Sequence, residues 1–186
     1  MPPMMPSGSR LISSNCSITC LKEVLIRAYY YTGEWTVETI DQYVKLSSHN
    51  DPETLREDLE SQRRRSQSFY RFLNRNGYMV VLKSLKVFAG GTIKADLDLE
   101  LAIDMFSLVD CCDKFILCSG DGDFVPLIRA VAKRGVRIQV LSTQHPDAYA
   151  NCNFKAAGEL VDVADEFIEF YDILPKITRD LPSRQN

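Results

Sequence analysis

The chain has 186 residues, of which 45% are apolar and 25% charged, an ordinary composition for a globular protein of one domain. No apolar run approaches the ~20 residues of a membrane-spanning helix, and the N-terminus lacks the basic segment and apolar core of a secretory signal. The formal net charge of −3 excludes no class of partner, because positive and negative residues are segregated along the chain.

Strand-like and helix-like segments alternate from residue 23 onward. Asp51-Pro52 illustrates the helix signals, because aspartate is a favoured N-cap and proline suits the first helical position. We predict strand 23–31, helix 36–46, a helix from 51 to 77, strand 78–82 with an extended arm to 88, helix 96–109, strand 114–118, helix 123–134, strand 136–141 and a helical or mixed segment 156–171. This alternation predicts an α/β fold with a parallel sheet of about four to five strands flanked by helices. Residues 1–20 are assigned to an N-terminal tail, 21–174 to the domain and 175–186 to a flexible C-terminal tail.

The cysteines and histidines do not have the spacing of a zinc site. No Cys-x-x-Cys pair occurs, and His49 and His145 stand alone in loop-like sequence. The six cysteines are Cys16, Cys20, Cys111, Cys112, Cys118 and Cys152. We expect free thiols in a reducing compartment and predict a cytoplasmic protein, with the nucleus as the alternative.

Charge changes sign sharply near residue 95. Residues 61–95 contain no acid and eight basic residues: Arg63, Arg64, Arg65, Arg71, Arg75, Lys83, Lys86 and Lys94. Residues 96–113 contain six acids and no lysine or arginine. Such an arrangement suits a metal-dependent nuclease, because the cations bind phosphates and the carboxylates bind Mg²⁺ or Mn²⁺. The alternative for Arg63–Arg65 is a solvated helix face that pairs with Glu57 or Glu60 one turn back.

Two carboxylates, Asp121 and Asp123, lie in the run Ser119-Gly-Asp-Gly-Asp-Phe124, between a predicted strand and a predicted helix. Ligands bind at the carboxyl ends of strands in open α/β sheets, and two acids there repel each other unless a cation or helix dipole offsets the charge. The turn therefore indicates a divalent-metal site. An EF-hand is excluded, because Pro126 and Ala132 occupy the positions of its glycine and glutamate. The structural alternative is that Asp121 forms the turn and Asp123 caps the helix.

Two further acids, Asp98 and Asp104, lie on one predicted helix. Asp98 is in its first turn, where the helix dipole favours a carboxylate even without any chemistry. Six residues advance a helix by about 600°, so the two side chains project about 120° apart. We therefore do not expect Asp98 and Asp104 to bind one ion directly.

The acidic turn and the segment Lys94–Met105 resemble the NYN (LabA-like) branch of PIN-like nucleases. Residues 119–127, 135–140, 27–31 and 164–168 carry the rest of the resemblance, which covers roughly residues 23–170. It implies a Rossmann-like PIN fold and Mg²⁺- or Mn²⁺-dependent cleavage of RNA. The resemblance assigns the acidic, metal-binding site to Asp98, Asp121 and Asp123. The resemblance also gives Ser119 a supporting role and Lys94 a phosphate contact. We further predict that Asp104 supports the site and that the basic residues Arg63, Arg64, Arg65, Lys83 and Lys86 contact nucleic acid.

The N-terminus departs from this family pattern. The family begins with a central strand ending in Asp-Gly-x-Asn, followed by a helix. Here the best match is Leu11-Ile-Ser-Ser-Asn15, with Ser13 in place of the aspartate, and eleven residues between Asn15 and Arg27 are too few for the helix. We expect either a shortened product or a replacement strand within residues 9–20, with weaker metal binding and turnover.

Three functions follow from these patterns. The first is a ribonuclease that hydrolyses RNA, with single-stranded RNA as the expected partner. The second is a catalytically weakened PIN-like module that binds RNA or a protein partner, and a homo-oligomer is left open. A small-molecule phosphohydrolase is disfavoured, because a small substrate does not need an extended basic surface.

Overall fold

The computed structural model describes residues 9–13, 24–47, 49–145 and 155–177, and for residues 9–13 and 174–177 it describes the backbone alone. The predicted tails lie outside these residues except for 9–13 and 175–177. The strands are β1 (Ser9–Ser13), β2 (Leu25–Glu34), β3 (Tyr78–Ser84), β4 (Lys86–Val87), β5 (Ile93–Lys94), β6 (Lys114–Leu117), β7 (Arg137–Ser142) and β8 (Glu166–Glu169). The helices are α1 (Val37–Leu46), α2 (Pro52–Arg75), α3 (Asp98–Ser107), α4 (Val125–Ala132), α5 (Gly158–Val163) and α6 (Phe170–Ile177). None of these described helices is long and apolar enough to cross a membrane.

Local signals account for the helix boundaries. Asp51 caps α2, since its Oδ1 accepts hydrogen bonds from the backbone N–H groups of Glu53 and Thr54 at 3.2 and 3.1 Å. The helix ends before Gly77, whose φ of 83° is accessible to glycine at little cost. The predicted helix 51–77 is therefore confirmed, with bounds of 52–75.

The main sheet has the order β3-β2-β1-β6-β7-β8. Strands β2 and β3 are parallel, as are β6, β7 and β8, and β1 is antiparallel to both β2 and β6. Five strands thus run in one direction, as predicted for an α/β fold. The segment predicted as helical or mixed divides into α5, the edge strand β8 and α6.

Strand β1 occupies the centre of the sheet but runs opposite to the direction expected of a first strand. Only residues 14–24 connect it to β2, and a short connection suits antiparallel strands, whereas parallel neighbours need a crossover of a dozen or more residues. Ser13 is opposite Lys114, at the beginning of β6, while Arg10 is opposite Leu117 at its end. The interpretation of Ser13 as the residue in the aspartate position is therefore wrong. Ser13 lies beside the amino end of β6, and the acidic turn follows the carboxyl end of that strand.

The core joins the two elements that carry the predicted acids. The stripe predicted on α3 is confirmed, since Leu97, Leu101 and Met105 are buried and Leu108 packs against them. These residues belong to the same cluster as Phe115 and Leu117 of β6, Ile128 and Val131 of α4, Ile138 and Val140 of β7, and Leu160 of α5. Each large apolar side chain that is fully buried contributes about 1.5–3 kcal/mol, so α3 and the turn after β6 are anchored to the same core.

Candidate active site

The acidic turn follows β6 and enters α4 through a single turn of 3₁₀ helix (Gly122–Phe124). The Asp121 N–H donates to Ser119 Oγ at 3.2 Å, and the Asp123 N–H donates to Asp121 Oδ1 at 2.9 Å. The capping role that the sequence allowed for Asp123 therefore falls to Asp121. Ser119 and Asp121 together hold the backbone of the turn in a defined shape.

The segment around α5 packs closely over this turn. Ala157 N–H donates to the Gly120 carbonyl at 2.9 Å. A methyl group on Gly122 would come within 2.7 Å of Glu159 Oε1 and 3.2 Å of Ala157 Cβ, so a larger residue here would displace the Glu159 side chain and press on Ala157. Glu159 is an acid beside the turn that sequence reasoning missed, because its contact with Gly122 depends on tertiary packing.

Asp98, the first residue of α3, lies within electrostatic range of the turn. Burial is the main cause of a raised pKa at the Asp98 carboxyl. Neighbouring carboxylates raise this pKa further, in the order Asp121, Asp96, Asp123 and Glu100. The three predicted site residues Asp98, Asp121 and Asp123 thus come together from two separate segments, where their mutual repulsion favours a bound cation.

The carboxylate oxygens of this region suit a hard cation that takes few of its ligands from the protein. In the described residues, no group of three or more histidine, cysteine, aspartate or glutamate side chains is arranged to hold a metal ion. Mg²⁺ is nevertheless commonly bound through one or two carboxylates, with water and substrate phosphates completing its octahedral shell. Asp98 and Asp121 are the pair best suited to this, since Asp121 is the charge that most affects Asp98.

Asp104 has a different partner. The fully buried Tyr31 of β2 donates a hydrogen bond from its hydroxyl to Asp104 Oδ2 at 2.8 Å. A hydrogen bond to a charged acceptor contributes about 1.5–3 kcal/mol, so Asp104 helps to fix α3 against the sheet. This placement agrees with the expectation that Asp98 and Asp104 do not bind one ion directly.

Two of the basic residues predicted to bind nucleic acid, Lys83 and Arg64, have partners within the protein. Lys83 Nζ donates to Glu100 Oε1 at 2.6 Å and to the Asp96 carbonyl at 2.5 Å, which ties β3 to the start of α3. The Lys83 hydrogen bond is the main reason that the pKa of Glu100 is lowered. Arg64 lies 3.5 Å from Glu60 on the exposed face of α2, the i,i+4 pairing that the sequence left open as the alternative.

The other basic candidates differ in exposure. Arg63 is partly buried, and its Nε is shielded from solvent without a hydrogen-bond partner. Arg65, Lys86 and Lys94 are exposed. Lys86 and Lys94 are directly opposite each other in the pair β4–β5, which immediately precedes α3 and Asp98. Among the basic residues predicted to bind nucleic acid, the exposed ones closest in sequence to Asp98 are therefore these two lysines.

Comparison with known proteins agrees with the fold and the motifs. The NYN domain model matches residues 14–174. The low amplitude and bright protein LabA of Synechococcus elongatus is 31% identical over 155 residues, which cover 80% of this chain and 64% of that protein, so the chain spans less than two thirds of this relative. A solved protein of unknown function from Vibrio parahaemolyticus is 25% identical, with a TM-score of 0.46 and coverage of 67% of this chain and 64% of that one. On the family match and this identity, the chain belongs to the NYN domain family, a branch of the PIN-like nuclease fold.

Proposed function

We propose that this protein is a metal-dependent ribonuclease that hydrolyses RNA phosphodiesters at Asp98, Asp121 and Asp123. The observation that carries the proposal is the convergence of carboxylates from two segments, since Asp98 at the start of α3 interacts with the charges of Asp121 and Asp123 in the turn after β6. A protein keeps such mutually repelling acids together at a cost in stability, and this cost is offset when a cation binds them. The NYN family membership supports nuclease chemistry at this position.

The residues of the site have separate tasks in this proposal. Asp98 and Asp121 would hold Mg²⁺ or Mn²⁺, which when bound would supply an activated water and neutralise charge on the phosphoryl oxygens. The Asp123 N–H fixes Asp121 Oδ1, and Ser119 Oγ fixes the Asp121 backbone, so the Asp121 carboxylate is oriented before any ligand arrives. Asp123 adds negative charge that keeps the cation in place. Preorganised charge of this kind is usually the largest contribution to catalysis.

RNA is the proposed substrate and the cytoplasm the proposed location. Lys86 and Lys94 present exposed positive charge on the segment that leads into Asp98, where a polyanion would be drawn towards the acids. Among the described residues, Cys111, Cys112 and Cys118 form no disulfide, which is typical of a reducing compartment.

Substitution of Asp121 by asparagine tests the enzymatic proposal. Asparagine caps a helix about as well as aspartate, so Asp121→Asn keeps the turn and removes the charge. With Mn²⁺ and a labelled single-stranded RNA, we expect the wild-type protein to cleave and Asp121→Asn to lose cleavage by about 100-fold or more. The matched control is Asp51→Asn, which changes the cap of α2 and should cleave like the wild type. Cleavage that is equal in wild type and Asp121→Asn would contradict the proposed site.

A binding module without catalysis is the second candidate. It is favoured by the absence, among the described residues, of a group of three acids arranged around a metal, and by the position of Ser13 at the wrong edge of the sheet. Its signature is RNA that is bound in a salt-dependent way yet left intact by both the wild type and Asp121→Asn.

A further inference from the structure

The pair β4–β5 forms a small antiparallel ribbon with two distinct faces. Val87 is buried and Ile93 opposite it is half-buried, so this face packs against the domain. Lys86, Phe88, Thr92 and Lys94 alternate with them and are all exposed. Since paired residues in a ribbon share a face, the two lysines and Phe88 lie on one solvent-facing surface. We call Lys86, Phe88 and Lys94 the ribbon face.

The turn that joins the two strands is well defined. The Phe88 N–H donates to the Thr92 carbonyl at 2.9 Å, and the Gly91 N–H donates to the Phe88 carbonyl at 3.1 Å. Gly90 and Gly91 have φ values of 87° and 78°, a region that glycine enters without strain. Phe88 is therefore carried at the base of a tight, ordered turn and not on a long loop.

Lys86 and Lys94 are paired at a position where like charges are destabilising. Directly opposite side chains in an antiparallel pair have Cβ atoms roughly 5 Å apart. Residues 61–95 contain no acid, so neither strand of the ribbon carries a carboxylate beside the lysines. The charge of Lys86 contributes to the lowered pKa of Glu100, but the hydrogen-bonded partner of Glu100 is Lys83. An anion bound between the two lysines would remove their repulsion.

Phe88 adds an apolar, flat surface beside these charges. Its side chain is 47% exposed, and single exposed aromatic residues are common on protein surfaces. The combination is less ordinary, because single-stranded nucleic acids are bound by aromatic rings that stack on bases and by cations that hold the intervening phosphates. A duplex offers phosphates but keeps its base faces stacked inside.

We propose that the ribbon face binds single-stranded nucleic acid, with Phe88 stacked on an unpaired base and with Lys86 and Lys94 in contact with backbone phosphates. The inference rests on the proposed function, and it assigns the expected preference for single strands to these three residues. It places the bound strand on the ribbon that directly precedes α3 in the chain, and α3 begins at Asp98.

Binding measured without cleavage tests the ribbon face separately from the acidic site. All variants are made in the Asp121→Asn background and assayed in EDTA, with fluorescence anisotropy of a labelled 12-nucleotide RNA and of the same RNA in a duplex. We expect Phe88→Ala to weaken single-strand binding by about 5- to 100-fold, the range for one stacked base, and to leave duplex binding unchanged. Phe88→Trp retains a stacking ring and should bind like the parent. Phe106→Ala removes a similarly exposed phenylalanine (46%) on α3 and is the matched control, which should also bind like the parent.

The salt dependence separates the lysines from the ring. Lys86→Ala and Lys94→Ala should each lower the slope of log affinity against log salt by about 0.7, the value for one phosphate contact to a single strand, whereas Phe88→Ala should leave the slope unchanged. Parental affinity in Phe88→Ala, or equal losses for single strand and duplex, would overturn the proposal. If Phe88→Ala shows a lowered thermal midpoint, Phe88→Leu serves instead, because it keeps apolar bulk without a ring and should lose the same affinity. A wild-type protein that never cleaves RNA would refute hydrolysis and leave this binding result standing.

Discussion

Deletion of residues 1–13 is expected to unfold the domain, because it removes the central strand. Strand β1 has four register pairs with β2 and four with β6. Without it, the sheet divides into β2–β3 on one side and β6–β7–β8 on the other. A two-stranded pair is marginal alone in water, so the loss extends beyond the residues deleted.

The size of the effect follows from the hydrogen bonds of the two ladders. Antiparallel pairing gives about one hydrogen bond for each paired residue, and each contributes about 1 kcal/mol net. Four pairs on each side therefore amount to about 8 kcal/mol. Native domains have only about 5–15 kcal/mol of unfolding free energy in total. The deletion should remove most or all of it.

Urea unfolding followed by circular dichroism measures this loss. The matched control is deletion of residues 1–8, which ends just before β1 and should change the unfolding free energy by less than about 0.5 kcal/mol. The reasoning is refuted if the protein lacking residues 1–13 unfolds at the same urea midpoint and with the same slope as the full chain.

A disulfide tests the direction of β1 as well as its position. Extending the β1–β6 register by one residue places Ser9 opposite Cys118, and antiparallel partners have Cα separations of about 4.5–5.5 Å, within the range that a disulfide spans. Mild oxidation of Ser9→Cys should therefore give a cross-link to Cys118 that peptide mass mapping detects, and Ser13→Cys should not. The opposite result would show that β1 runs parallel to β6.

Three further perturbations probe other parts of the structure. Gly33→Ala would place a methyl group 2.5 Å from Ala95 Cβ, so we expect a loss of about 1–3 kcal/mol in urea unfolding, and an unchanged midpoint would contradict the close packing. Burial and the neighbouring Tyr70 raise the pKa of Tyr30 to about 12, above its ordinary value near 10. Because the folded state favours the neutral phenol, this contribution to the unfolding free energy is complete below about pH 10 and is lost as the pH rises towards 12. Tyr30→Phe should accordingly weaken the loss of stability in this range, as measured by unfolding between pH 9 and 11, and an identical pH profile would count against that origin. Asp121→Ala removes both the cap and the charge and should cost about 1 kcal/mol in stability, whereas Asp121→Asn should cost none, which thermal unfolding without metal would distinguish.

Much of the site is accessible from local patterns. Asp51-Pro52 and Gly77 mark the ends of α2, and the apolar period of α3 identifies its buried face, because caps and helical periodicity act between residues close in sequence. The run from Ser119 to Phe124 likewise identifies the family and the acidic turn, since the chemistry of that turn is contained in six consecutive residues. The grouping of Asp98 with Asp121 comes from the resemblance to the NYN family, because no local pattern links residues of two separate segments.

Contacts between distant segments decide the remainder. The sequence suggests that Ser13 replaces an aspartate, but the direction of β1 depends on which neighbours its backbone pairs with, and no residue within the strand encodes that choice. The distribution of charge along the sequence does not show that Lys83 binds Glu100 whereas Lys86 and Lys94 face solvent. Such pairings form only when segments far apart in the chain come together on folding. Tyr31 and Asp104 are 73 residues apart and form one hydrogen bond for the same reason. Family membership and the candidate acidic turn can thus be recognised from short runs of residues. The direction of the central strand and the exposure of each charged side chain depend on contacts between distant segments.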